Sequence, residues 1–267
     1  MGFMECKLTS CGKLKGLVFT GLAFLALFLI LEVASTLKII SPVIFPAPST
    51  ILSTFPKIQD ILAQSILTTS YHMALCYFLG GVLGIILGVY TAHFAILERT
   101  LGKLITSIFP IPRLTYLPLF ILWFGLADIV VIMISTISVF FAVFMNTFAG
   151  VKKIPPEYLY VCKNLGGDRG DMLRMVIFPA SVPFIIAGLR YGIGKVLSSV
   201  IVTEMIIGQS GIGGMFWRAT NLFKPEVTVL LEAIIVVAGL LLFSSFDWAE
   251  RRMFPWMREV NDNVPKS

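Results

Sequence analysis

The sequence predicts an all-α protein that crosses a lipid bilayer about six times. Three observations carry this expectation. Hydrophobic residues make up 57% of the 267 and charged residues only 13%, and the mean hydropathy is +0.90, outside the range of soluble globular domains. Six apolar runs are long enough to cross a hydrocarbon core, which takes roughly 20 residues of helix. The runs lack the period-two alternation of a membrane barrel and are too long for its strands, so helices remain as the way to satisfy backbone polar groups in lipid.

In order, the runs are Leu17 to Leu37, Ile66 to Ala92, Leu104 to Leu126, Ile129 to Gly150, Val182 to Ile207 and Val227 to Trp248. The first follows Lys13 and Lys15 and ends near Ala34 and Ser35, as a cleavable signal would. It is longer than a signal core, and an uncleaved helix is expected. The expected organisation is a segment at 1–16, a first helix and external loop at 17–65, a transmembrane core at 66–248 and a tail at 249–267.

Lys and Arg give the orientation, because loops on the cytoplasmic side retain them. Of the 21, fourteen fall on one side, including Lys13, Arg99, Lys152, Lys153 and Arg251. Lys38, Lys57, Arg218 and Lys224 fall on the other, and Arg113, Arg190 and Lys195 lie within runs. Both ends of the chain are therefore expected in the cytoplasm. This asymmetry accounts for the net charge of +6 without a nucleic-acid partner, and membrane lipid is the expected surrounding.

Nothing in the chain reads as catalytic. His72 and His93 stand apart from any Cys or carboxylate cluster, so no metal centre is expected. Cys6, Cys11, Cys76 and Cys162 suggest neither a disulfide nor a metal site. The G-x-x-x-x-G-K-[ST] loop is absent, so no nucleotide or other cofactor is expected on this chain, and any ATP would be used by another subunit.

Glycine and proline carry packing information. Gly80, Gly84 and Gly88 recur every four residues and open one helix face to a neighbouring backbone, a spacing repeated by Gly188 and Gly192. Pro110, Pro112 and Pro118 crowd the third run around Arg113 and predict a broken helix. Irregular backbone at membrane depth is tolerated where it lines a cavity, so Pro110, Pro112 and Arg113 are candidate pathway residues. Arg190 and Glu204 lie fourteen residues apart on about the same face of the fifth run, too distant to pair directly. Either could line the pathway or pair with a neighbouring helix. Lys195 faces elsewhere, with a partner expected nearby. Asp128, in the turn before Ile129, reads as a loop charge or helix cap.

Between the fourth and fifth runs lies a long polar segment on the cytoplasmic side. Pro155 and Pro156 open a short helix through Glu157, Tyr158, Leu159, Tyr160, Val161 and Cys162. Gly166 and Gly167 break it, and a second helix is expected from the cap Asp168 to Pro179. By pattern alone this is an amphipathic connector at the membrane surface.

The segment also resembles the EAA motif of ABC importer permeases, E-A-A, three residues, G, nine residues, I-x-L-P. The matching positions are Tyr160, Val161 and Cys162, then Gly166, then Val176, Phe178 and Pro179. The acidic residue and both alanines are replaced, whereas the Gly and Pro keep their spacing. The stretches FPAPSTIL, IPRLTYLPLFILWFGLADIVVI, NTFAGVKKIPPEYL, FPASVPFIIAGLRYGIGKV and TEMIIGQSGIGGMF resemble the sulfonate, nitrate and taurine group of these permeases. The likeness runs in collinear order from about Phe45 to Arg252. It departs at SILTTSYHM, where relatives carry an Arg shortly after the Ser.

The resemblance implies a type I ABC importer permease fold. It implies a second permease chain completing a homodimer, separate ABC ATPase subunits and an extracytoplasmic solute-binding protein, in a bacterial or archaeal plasma membrane. Residues 156–167 would be the coupling helix lodged on the ATPase, its side chains Tyr158, Leu159 and Val161 filling a groove. The implied solute is a sulfonate, taurine or nitrate-like anion, or a vitamin precursor such as riboflavin. An ion-coupled secondary transporter is the alternative, and would favour broken helices in both halves. A membrane-embedded enzyme would need a polar cluster near one face.

Overall fold

The computed structural model describes residues 26, 28–37, 41 and 44–255. The first expected run, 17–37, lies in part outside the described residues; within it, 28–36 is helical. The remaining elements are α1 (Pro48–His93), α2 (Ala95–Ile108), α3 (Arg113–Phe124), α4 (Asp128–Val151), α5 (Pro156–Asn164), α6 (Arg169–Ile207), α7 (Gly211–Asn221) and α8 (Pro225–Met253). Among the described residues there is no strand. Helices α1, α4, α6 and α8 are each long and apolar enough to cross a membrane, and the bent pair α2 and α3 makes a fifth crossing if taken together.

Two helices are longer than their apolar runs. The external loop expected up to residue 65 is, from Pro48 onward, the first part of the 46-residue α1. Ser49, Thr50, Ser53, Lys57 and Asp60 lower its hydropathy below that of an apolar run. The polar extension therefore hid the helix from a reading based on apolar length. The segment expected to end at Pro179 instead continues as one 39-residue helix to Ile207. A π turn at Met172–Ile177 precedes the proline, and its wider bonding, with the Phe178 N–H on Leu173 O, takes up the irregularity that Pro179 introduces.

The described residues fall into two units, one joining those up to Asp60 with Arg218–Ala233, the other Ile61–Trp217 with Ile234 onward. In the first, Glu32 receives the Ser49 N–H at 3.0 Å and the Ser49 hydroxyl at 2.6 Å. A carboxylate is thereby placed at the start of α1, where the aligned peptide dipoles favour it.

In the second unit the core is built on α4 and α6, which pair extensively. Val130, Val131, Ile134, Val139 and Val143 of α4 pack with Val196 and Val200 of α6 and with Cys76 of α1. Lipid tails are as apolar as these side chains, so close packing rather than expulsion of water holds such helices together. The glycine stripe provides that closeness: a Cβ at Gly80, Gly84 or Gly88 would stand 2.7–2.8 Å from Val139, Val143 or Thr147 of α4. In the last turn of α4, a Cβ on Gly150 would overlap Phe184 of α6 at 2.2 Å.

Candidate functional site

The chain break anticipated from proline is sharp. Helices α2 and α3 meet at 89° across residues 109–112, where Pro110 and Pro112 remove two backbone donors. Pro118 takes no part in the bend, because it sits in the first turn of the α-helical stretch Leu117–Phe124. Beside the break is a cleft of about 230 Å³ lined by residues that include Phe109, Pro112, Arg113, Tyr191, Lys195 and Ser198. The Arg113 guanidinium lies 4.9 Å from the ring centroids of both Phe109 and Phe141. Lys195 leans on the ring of its own neighbour Tyr191, with its ammonium 4.9 Å from the centroid. Lys195 thus shares the cleft with Arg113.

Arg190 and Glu204, expected on one face of α6, have separate partners. Arg190 pairs with Asp247 of α8 at 3.1 Å and also lines a neighbouring cavity with Tyr191 and Lys195. Glu204 is fully buried. Its carboxylate accepts from the Thr69 hydroxyl at 2.8 Å and the Gly213 N–H at 3.1 Å, and lies 2.8 Å from His72 Nδ1. Thr69 in turn accepts the Ile212 N–H at 2.8 Å. The first turn of α7 thus presents one amide to the carboxylate and another to the hydroxyl beside it, the arrangement a helix N-terminus favours for an anion.

Two expectations change here. His72 is not isolated: Glu204 holds Nδ1, and Asp128 lies 3.9 Å from Nε2. Asp128 is the first residue of α4, with Ala127 rather than Asp128 in the cap position, and it accepts a hydrogen bond from Ser210. Positions 69, 72, 128, 204 and 210–213 form one polar network, which sequence separations of more than 130 residues concealed. The faint signal was TEMIIGQSGIGG, an acidic residue within an apolar run followed by a glycine-rich turn. Gly211 is required there twice over: its φ is +71°, and a Cβ would meet the Glu204 carboxylate at 2.2 Å. Gly211→Ala is therefore expected to lower the yield of folded protein severalfold in size-exclusion profiles.

The segment between α4 and α6 is an elbow fixed at each end. Pro155 precedes α5 and Pro156 begins it, Glu157 lies in its first turn and Lys163 in its last, each of the sign the helix dipole favours. The Gly167 N–H then bonds Cys162 O at 3.0 Å and the Gly166 N–H bonds Lys163 O at 3.0 Å. This is a Schellman turn, with Gly166 at φ +83° as its left-handed residue. A Cβ on Gly167 would press on Cys162 Sγ at 2.7 Å, so the two glycines are needed for different reasons. Asp168 caps the next helix as expected: its side chain accepts the Asp171 N–H at 2.8 Å, and the Asp171 side chain accepts the Asp168 N–H at 3.0 Å. Removing this cap with Asp168→Ala is expected to cost about 1 kcal/mol, seen as faster proteolysis of the loop.

Side chains of α5 divide between two faces. Leu159, expected to reach outward, turns in against Val89, Val151, Ile177 and Ile185. Helical spacing over two turns leaves Tyr158, Val161 and Leu165 together on the outside, at 59%, 56% and 83% exposure, with Tyr160 also outward. The elbow's base is held by the Lys152–Glu98 ion pair and by Lys153 near the Phe184 ring.

Residues 80–259 match the family of binding-protein-dependent transport system inner membrane components. The chain belongs to that family. The permease is 29% identical to the taurine transport system permease protein of Escherichia coli (strain K12), over 85% of each chain. It is 28% identical to a putative aliphatic sulfonates transport permease protein of Bacillus subtilis (strain 168), over 92% of this chain and 88% of the relative. In structure it resembles a chain of an amino acid ABC transporter, with a TM-score of 0.63 at 19% identity over 75% of this chain and 97% of that one. It is thus a multi-pass membrane subunit of an ABC importer with the type I permease fold, and the family's ATPase resides on another subunit.

Proposed function

We propose that two copies of this permease form a solute pathway in a bacterial or archaeal plasma membrane, with both termini in the cytoplasm. A binding protein delivers the solute from outside, and two separate ATPase subunits dock on the cytoplasmic elbows. ATP is hydrolysed on those subunits, and this chain holds no cofactor. The elbow from Pro156 to Gly167 couples them to the pathway. Its support is the apolar face formed by Tyr158, Val161 and Leu165 on a helix locked by a Schellman turn and a capping box. A rigid elbow transmits displacement to α4 and α6, where a flexible loop would absorb it. Pro110, Pro112 and Arg113 form a wall of the pathway, and Arg190 and Glu204 brace α6 beside it. The solute is a sulfonate, taurine or nitrate-like anion, or a vitamin precursor.

Purification of the tagged permease from native membranes tests the coupling. A P-loop ATPase is expected with the wild type. Its recovery is expected to fall roughly tenfold or more in Tyr158→Asp with Val161→Asp, and likewise in Gly166→Glu, at equal permease abundance. Equal recovery with these variants would refute the elbow as the docking site. Absence of any ATPase with the wild type would favour transport driven by an ion gradient.

A further inference from the structure

We infer that the cleft between the α2–α3 break and α6 is a selectivity site for a small oxyanion, with Arg113 and Lys195 as the residues that recognise its charge; this rests on the importer reading above. Both cations lie within membrane-crossing segments. Among the described residues neither pairs with a carboxylate, whereas Lys152 pairs with Glu98 and Arg190 with Asp247. A structural intramembrane cation ordinarily has such a partner, as Arg190 does, and one without it marks a solute path.

The aromatic rings do not replace that partner. A guanidinium resting against the faces of Phe109 and Phe141 is fixed in orientation, yet its N–H donors lie in its own plane and remain for an acceptor. Lys195, held near Tyr191 by its charge, keeps its ammonium donors in the same way. The remaining polar lining is hydroxyl, from Ser138, Tyr191, Ser198 and Ser199, and no carboxylate lines the cleft. Ser138 donates to Ile134 O, Ser198 to Gly194 O and Ser199 bonds Ser138, so two positive groups and the Tyr191 hydroxyl remain, which suit an acceptor with several oxygens and a delocalised negative charge.

Size narrows the choice. A volume of about 230 Å³ falls below the roughly 300 Å³ at which pockets for drug-sized ligands begin. It suits a sulfonate or nitrate and is too small for a flavin. Attachment through two ring-supported cations also fits a transient stop, since a pathway site must release what it binds.

A charge-selective thiol reaction tests this without knowing the natural solute. Ser198→Cys, at the exposed edge of the cleft, is introduced into the full-length permease with Cys6, Cys11, Cys76 and Cys162 replaced, purified with its partners. Modification rates are compared for the anionic ethylsulfonate and the cationic trimethylammonium methanethiosulfonate reagents, each normalised to a free thiol. The anionic reagent, itself a small sulfonate, is expected to be favoured roughly tenfold or more, because a cleft of one charge sign concentrates counter-ions. The preference is expected to collapse in Arg113→Gln and in Lys195→Gln, to survive in Lys195→Arg, and to shrink as salt is raised on the unaltered cleft. A normalised ratio near one, a preference unmoved by both glutamine variants and by salt, or no reaction with either reagent would overturn the inference. Co-purification of the ATPase on the same preparation separates the causes. ATPase present with a ratio near one rejects the cleft alone, whereas its absence rejects the importer reading and, with it, a role for the cleft in import.

Discussion

Replacing Glu204 with alanine is expected to cost about 3–5 kcal/mol of stability, the range found when one member of a buried polar pair is removed. The carboxylate is fully buried and serves the Thr69 hydroxyl, the His72 ring and the Gly213 amide together. Alanine would leave these groups without their acceptor, each with a desolvation cost of about 1–3 kcal/mol that partial relaxation would lessen. It would also free the first turn of α7 from α1 and α6. Thermal melting of the detergent-solubilised permease checks this, with Glu204→Gln as the comparison. Glutamine keeps the size and an acceptor oxygen and should retain part of the loss. His72→Ala should cost less than Glu204→Ala, since Gly213 and Thr69 would still be served. A Glu204→Ala protein melting with the wild type would show that the network contributes nothing measurable.

That network also marks where reading along the chain stops working. Apolar runs, proline breaks and glycine turns are local, and they gave the crossing helices, the sharp bend at Pro110–Pro112 and the elbow at Gly166 and Gly167. The cap at Asp168 was legible for the same reason, since its partner Asp171 is three residues away. The partnership of Glu204 with His72 spans 132 residues, and no periodicity within either helix encodes it. The cleft that Lys195 shares with Arg113 was hidden too, because the direction of Lys195 on α6 says nothing about what α3 places opposite. Leu159 was placed on the outer face of α5 because its apolar character fits a groove or a core equally well; only the packing of Val89 and Ile177 decides between them. Helix ends were lost where polar residues begin a long helix, at Ser49–Asp60, and where a π turn carries a helix past a proline, at Pro179.

Gly84 gives the second large effect. Substitution by leucine is expected to abolish stable packing of α1 on α4, because the atoms that meet a new Cβ are mostly backbone: Phe140 O and Phe144 N at 3.0 Å, with Val143 Cβ at 2.8 Å. A side chain can rotate aside, but a helix backbone can yield only by moving the whole helix. Gly84→Ala should cost about 1–3 kcal/mol, the usual range for overpacking, and Gly84→Leu more than that. Gly192 supplies the contrast on α6. It belongs to a pair with the same four-residue spacing, yet its added Cβ would find only ordinary contacts at 3.5 Å to Tyr77, Val139 and Val143. There the gain in helix tendency from glycine to alanine, up to about 1 kcal/mol, has little to oppose it. Gly192→Ala should therefore be neutral or slightly stabilising while Gly84→Ala lowers both membrane abundance and melting temperature. If the two alanine variants behave alike, four-residue glycine spacing reflects composition in this permease, and the close approach of α1 to α4 tolerates the width of a methyl group.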